Sequence, residues 1–358
     1  MINGHGGNIY KLSKELGCQE SEIIDMSSNL NPMGEVPGLL DWLNNNIKSA
    51  LRLPEVDSME IINLFAQKYN INPLNLLAGN GTTQFIYIIP QSINFKKTLV
   101  IVPTYADYED SLKQNKIDIN YVYLDENKDF KPEIDKINHA LKKVDSVFIC
   151  NPNNPTASIF NKDELLYLIN ENPDVIFIID ESYLDFVKNG SEMSMINIEK
   201  NNLILLYSMS KIFSIPGLRL GFMKSTKNLR DKISTLIQPW SVNSLAHMAA
   251  KFLLNPDNCI DSFINQSIKY LINEKKVFIN EFKNISNIKI YNSKTSFILI
   301  KLLTQKSNYI CQELARQKIL IRNCSNFKGL NDNFIRVSLK QKNKNELLIM
   351  ALRKQLQI

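Results

Sequence analysis

What this chain lacks narrows its function early. It has no run of about 18 apolar residues, so nothing in it reads as a membrane span. Its first residues, MINGHGGNIYKLSKELG, do not follow the charged-then-apolar order of a secretory signal. Histidine occurs only three times. The five cysteines (Cys18, Cys150, Cys259, Cys311 and Cys324) never fall at C-x-x-C spacing, which leaves no zinc-type or dithiol redox motif. An odd, scattered set of cysteines fits a reducing compartment, and a cytoplasmic location is expected. Charge of one sign is also missing: 42 Lys and Arg stand against 36 Asp and Glu, without a basic stripe. No nucleic-acid partner is expected from that pattern, nor a membrane partner. The net charge of +6 suits, at most, a small anionic substrate. No internal repeat and no low-complexity linker is present.

What is present reads as α/β. A length of 358 residues suits two domains, and the apolar (44%) and charged (22%) fractions are ordinary for a globular chain. The runs TLVIV (98–102), YVYL (121–124), SVFIC (146–150), VIFII (175–179) and LILLY (203–207) are short, almost wholly apolar and bounded by Asn, Pro, Asp or Ser. That is the pattern of strands buried on both faces. Helical spacing lies between them, as at Tyr105, Tyr108 and Leu112 within 105–116. Alternation of this kind predicts a mostly parallel sheet covered by helices. After about residue 240 the texture changes to a long helical stretch over 243–285, short strands, and a last helix with Leu348, Leu352 and Leu356 four apart.

Four segments sit at or just after strand ends, where open α/β sheets bind ligands. GNGTTQFIY (79–87) opens a helix at Gly81, Thr82 and Thr83, whose free N–H groups suit a phosphate; an ordinary capped helix reads the same way. PTYADY (103–108) offers Tyr105 as a ring to cover a planar ligand, or as a core tyrosine. NPNNPTA (151–157) follows a strand directly; Asn154 can donate to a ring oxygen, or the string can be a turn and nothing more. IIDESYLDF (178–186) ends an apolar strand with Asp180, a costly place for a carboxylate without a partner. A protonated pyridine nitrogen is one such partner and a salt bridge another; Tyr183, three residues on, can reach an oxygen on the same ring.

Lys211, in SMSKIFSIPGLRLGF (208–222), lies just past the strand 203–207. Alone it is either a structural ion-pair partner or a covalent handle. With the four segments in this order it points to a pocket for pyridoxal 5'-phosphate, which needs a lysine for its Schiff base. Ser208, Ser210 and Arg219 add donors for the phosphate.

The order of these motifs resembles the fold-type I pyridoxal-phosphate enzymes, the class I/II aminotransferase group, over nearly the whole chain. The resemblance implies an arm over 1–35 that packs with the small domain and the substrate site, a large cofactor-binding domain over 36–240, and a small α+β domain over 241–358. It also implies a homodimer. Two branches compete, threonine-phosphate decarboxylase and histidinol-phosphate aminotransferase. HGGNIYKLSKELG (5–17) with DMSSNLNPMG (25–34), QPWSVNSLA (238–246) and LIRNCSNFKGLNDNFIRVSLK (320–340) resemble the decarboxylase. The expected reaction is therefore conversion of L-threonine O-3-phosphate to (R)-1-amino-2-propanol O-2-phosphate for the cobalamin linker. L-serine O-phosphate is a close variant, and histidinol-phosphate transamination is the alternative. The resemblance assigns Lys211 as the attachment point and Asp180 to the pyridine nitrogen. It assigns Asn154 and Tyr183 to the ring oxygen, Tyr105 to stacking, and Gly81, Thr82, Ser208, Ser210 and Arg219 to the cofactor phosphate. Arg336 is assigned to the substrate carboxylate, and His5, Asn29 and Arg322 to the substrate phosphate. Three positions depart from the group: Leu53 stands where a tyrosine is usual, Ala157 where glycine is usual, and Ser296 where asparagine is usual. Ala157 is expected to keep a negative φ or to carry slight strain.

Overall fold

A computed structural model of the chain describes residues 5–356. Its centre is a seven-stranded sheet. The strands, in chain order, are β1 (Leu76–Asn80), β2 (Lys97–Val102), β3 (Asp118–Tyr123), β4 (Ser146–Cys150), β5 (Ile176–Asp180), β6 (Leu203–Ser208) and β7 (Leu220–Lys224). Their spatial order is β1-β7-β6-β5-β4-β2-β3. Pairing is parallel from β6 across to β3, whereas β7 runs antiparallel to both of its neighbours.

The exception has a physical cause. A parallel return needs a crossover of a dozen or more residues, usually with a helix. The link from Ser208 to Leu220 holds only a one-turn helix (Met209–Ile212) and a short 3-10 turn (Pro216–Leu218). Residues in β4 and β6 are buried throughout, as strands with cover on both faces must be.

This order gathers the motif loops. The carboxyl ends of β1, β2, β4, β5 and β6 lie at one edge, followed by helix α1 (Gly81–Ile93), helix α2 (Ala106–Gln114), the 151–157 turn, Tyr183, and helix α3 (Met209–Ile212). Because β7 runs the other way, Arg219, which precedes it, comes to that same edge.

A second, antiparallel sheet of four strands lies later in the chain. Its strands are β8 (Ile288–Ile290), β9 (Phe297–Leu302), β10 (Arg322–Asn323) and β11 (Phe334–Ser338), in the order β10-β11-β9-β8. A short parallel pairing ties Ile24 and Asp25 to Ile319 and Leu320, which holds the N-terminal segment beside this sheet. The expected single helical stretch over 243–285 is two helices, Ser244–Leu253 and Ile260–Glu281. Pro256 separates them, since it has no N–H for a continuing helix. One apolar cluster runs through both sheets, with Phe65 stacked on Phe222 at its base. Among the described residues no helix is long and apolar enough to cross a membrane.

Candidate active site

The first wall of the site is the start of α1. Gly81 has φ +70°, and a Cβ there would fall 2.6 Å from Arg219 Nη2. A Cβ on Gly221 would fall 2.7 Å from the Thr82 nitrogen. Both glycines therefore let the helix start and β7 approach closely. Arg219 Nη2 donates to Thr83 Oγ1 at 3.3 Å, and the Ser210 N–H donates to Ser208 Oγ at 3.3 Å. The Ser210 hydroxyl is buried with no partner among the described residues.

Asp180 ends β5 and is 4% exposed. It accepts from the Ser182 N–H (3.0 Å), from Ser182 Oγ (2.5 Å) and from Tyr108 Oη (2.9 Å). Burial raises its carboxyl pKa above the ordinary value even so; the donors and the Lys211 charge pull the other way and do not win. The carboxylate is thus placed to gain from one more cation. Lys211 on α3 is held down to about 8, first by burial and then by the charges of Arg219 and Arg336. Its amine is consequently neutral far more often than a free lysine's.

These side chains line one small cavity of about 70 Å³, together with Tyr105, Cys150, Asn154 and Tyr183. A second cavity of about 140 Å³ adjoins it. It shares Tyr105, Asn154, Tyr183 and Lys211, and is completed by His5, Asn29, Arg322 and Arg336. A larger groove of about 600 Å³ lies beyond His5 and Tyr105, away from Lys211.

In the second cavity Arg336 bonds Asn154 Oδ1, donates to the Ser27 carbonyl at 2.5 Å, and lies over the Phe297 ring. With Asn154 Oδ1 so occupied, its amide NH₂ is the end left for a ligand. Asn29 donates to Tyr183 Oη at 3.2 Å. Its own Oδ1 is buried and unpartnered, as is Arg336 Nε, among the described residues. Arg322 donates to Asn326 Oδ1 at 2.7 Å and packs on Phe327.

The strand register sets these arginines side by side: Arg322 on β10 and Arg336 on β11 are direct cross-strand partners. Both are buried, and burial lowers both pKa values, Arg322 to about 10. Like charges directly opposite on a sheet destabilise it, so this pair asks for anions.

The site residues read from the sequence come together, with Gly81 supplying clearance rather than a surface. Several that matter were not legible. Tyr108 reads as one apolar position on a helix face, yet its hydroxyl supports Asp180. Ser182 makes two bonds to the same carboxylate. Lys340 donates to the Ser28 carbonyl at 2.9 Å, and burial holds it down to about 8. Of the departures, Ala157 does take a positive φ (+57°), which replaces the negative-φ expectation with local strain. Leu53 is 75% exposed, and the Ser296 hydroxyl is buried without a partner among the described residues.

Comparison with known proteins decides the family: "Aminotransferase class I and II" matches residues 21–352. The chain belongs to that family. It is 34% identical over 353 residues, 97% of its length, to an adenosylcobalamin biosynthesis bifunctional protein CobDQ of Leptospira interrogans, and spans 40% of that protein. Among solved structures it is similar to the L-threonine-O-3-phosphate decarboxylase of Porphyromonas gingivalis. That match has 26% identity and TM-score 0.82, over 94% of this chain and all of the other. It is similar also to the histidinol-phosphate aminotransferase of Clostridium acetobutylicum, with 30% identity and TM-score 0.85 over 94% and 99%. The chain is a pyridoxal-phosphate-dependent enzyme of this family, related to both branches. Its own residues fit the cofactor. An unpartnered serine hydroxyl, a glycine held clear beside Arg219, a buried carboxylate short of a cation and a lysine with a lowered pKa converge on one cavity.

Proposed function

We propose that the enzyme decarboxylates a small phosphorylated amino acid, L-threonine O-3-phosphate or its lower homologue L-serine O-phosphate. The observation that carries this reading is the buried cross-strand pair Arg322 and Arg336 beside Lys211. Threonine phosphate brings two anionic groups on adjacent carbons, one for each guanidinium. Arg336, braced by Asn154 and the Ser27 carbonyl, takes the carboxylate. Arg322, with His5 and Asn29, takes the phosphate.

On this reading Thr82, Thr83, Ser208, Ser210 and Arg219 would hold the cofactor phosphate, Asp180 would pair with the ring nitrogen, Tyr105 would cover the ring, and Tyr183 and Asn154 would hold the ring oxygen. When bound, pyridoxal phosphate supplies the electron sink for the bond broken at Cα. Asp180, held in place by Ser182 and Tyr108, keeps negative charge where that sink needs a proton. Lys211 would attach the cofactor, and its amine, lowered to about 8, would be the group placed to carry a proton at Cα. Orientation selects the reaction: with Arg336 on the carboxylate and Arg322 on the phosphate, a bound substrate would keep little rotational freedom about Cα.

A second reading, transamination of histidinol phosphate, is the one the comparisons favour. The Clostridium aminotransferase is closer than the Porphyromonas decarboxylase in both identity and TM-score. That reading would use the same residues around the cofactor. Histidinol phosphate has no carboxylate, however, so Arg336 would wait for the acceptor acid of the other half-reaction. Incubation with threonine phosphate and no oxo-acid separates the two, because only the decarboxylase turns over repeatedly.

A homodimer and the three-part division of the chain (1–35, 36–240, 241–358) belong to the same proposal. Leu51, Leu53, Val56 and Trp240 are exposed apolar side chains that support association, and the Trp240 backbone N–H donates to the Val56 carbonyl. The name of the Leptospira relative supports a place in cobalamin assembly.

A further inference from the structure

We propose that Asp107 is a positioning residue that joins the ring over the cofactor, Tyr105, to the N-terminal arm, and that through His5 it sets which phosphorylated amines the site accepts. Asp107 lies in the first turn of α2 and is 4% exposed. One carboxylate oxygen, Oδ2, accepts from Tyr105 Oη at 2.7 Å. The other, Oδ1, has no hydrogen bond among the described residues and stands 3.5 Å from His5 Nε2. A buried carboxylate oxygen without a full partner is costly, so an imidazole that docks and donates there is favoured. The His5 ring meets Tyr105 edge-on, at 6.2 Å between centroids.

The backbone of the arm is built for this path. A Cβ at Gly6 would fall 2.5 Å from the Ser27 carbonyl oxygen, and the Gly7 N–H donates to Ser27 Oγ at 2.7 Å. Ser27 is also the residue whose carbonyl receives Arg336. The arm is thereby tied to the carboxylate-binding arginine on one side and to Asp107 on the other.

His5 occupies the wall between two spaces. It lines the inner cavity of about 140 Å³ beside Lys211 and the outer groove of about 600 Å³ beside Glu109 and Lys328. With His5 docked on Asp107, the inner space suits a compact substrate such as threonine phosphate. With His5 released, the two spaces join, and a ring substituent on Cα, as in histidinol phosphate, gains room. This inference rests on the substrate reading above only for which of the two ligands is preferred.

The test is a double-mutant cycle of His5→Ala and Asp107→Asn on the cofactor-loaded enzyme. Half-saturation is read from the change in cofactor absorbance as L-threonine O-3-phosphate or histidinol phosphate is added, each alone. That readout does not depend on which reaction follows. Each single variant is expected to weaken threonine phosphate about tenfold, and the double variant about tenfold rather than a hundredfold, because both remove one device. The preference for threonine phosphate over histidinol phosphate should shrink in each variant. For whichever substrate turns over, the loss should fall on KM more than on kcat. Effects that multiply, an unchanged preference, or a loss confined to kcat would overturn the inference. Should Asp107→Asn fail to fold, Asp107→Ser, which keeps a small acceptor for Tyr105, takes its place in the cycle. Tight binding of histidinol phosphate by the unaltered enzyme would count against the decarboxylase reading and leave the cycle readable.

Discussion

Asp180→Asn isolates one charge and leaves its surroundings nearly intact. The Ser182 N–H and hydroxyl bond one carboxylate oxygen, Oδ1, and an asparagine carbonyl can accept both. Tyr108 bonds the other oxygen at 2.9 Å and can rotate its hydroxyl to accept from the new amide. What disappears is a negative charge in a nearly water-free place, the one proposed to pair with the cofactor's ring nitrogen. Removing one partner of a buried ion pair costs about 3–5 kcal/mol. At about 1.4 kcal/mol per factor of ten, turnover should fall by roughly two to three and a half decades. The assay is single turnover with saturating substrate, with cofactor loading read by absorbance and folding checked by urea titration. A loss below tenfold in a fully loaded, normally stable variant would refute the assignment of Asp180 to the ring nitrogen.

Three further outcomes follow from the same geometry. Gly81→Ala puts a Cβ 2.6 Å from Arg219 Nη2 at φ +70°, so cofactor affinity should drop at least tenfold by equilibrium dialysis, whereas Gly217→Ala, which meets nothing within 4 Å, should not change it. Lys211, lowered to about 8 by burial, is charged below that pH and neutral above it. Capture of pyridoxal phosphate by the cofactor-free chain should therefore speed up about tenfold per pH unit below 8 and level off above it; a rate still climbing near pH 10 would count against a buried amine. Phe65→Ala empties a site that is 0% exposed and stacked on Phe222 at 4.2 Å. It should cost about 3–5 kcal/mol in urea unfolding while cofactor absorbance in the folded fraction stays the same.

The buried strands were legible because full burial leaves short, unbroken apolar runs that few other elements produce. Strand direction was not: the reversal of β7 follows from a link too short for a crossover, and that is seen only once β6 and β7 are known to be neighbours. The break at Pro256 was legible in principle, since proline ends helices on local grounds, but the apolar spacing on either side masked it. The residues proposed to face the cofactor could be read because their segments follow one another at strand ends in one order, although each segment alone also has a bland reading. Their supports could not. Tyr108 has an ordinary helical position, and only the fold shows its hydroxyl reaching Asp180. The pairing of Arg322 with Arg336 is a matter of register, and sequence separation says nothing about it. Ala157 shows the limit from the other side: its place where glycine is usual left a negative φ or strain open, and only the backbone shows that it takes the positive φ.

The measurement that tests the account most directly uses the purified protein loaded with pyridoxal phosphate and given L-threonine O-3-phosphate without any oxo-acid. Mass spectrometry follows aminopropanol phosphate, with serine phosphate in a parallel reaction. Many turnovers per active site and release of one carbon dioxide per product are expected. No product from either phosphoamino acid, together with glutamate-forming turnover of histidinol phosphate and 2-oxoglutarate, would contradict it and establish the aminotransferase instead.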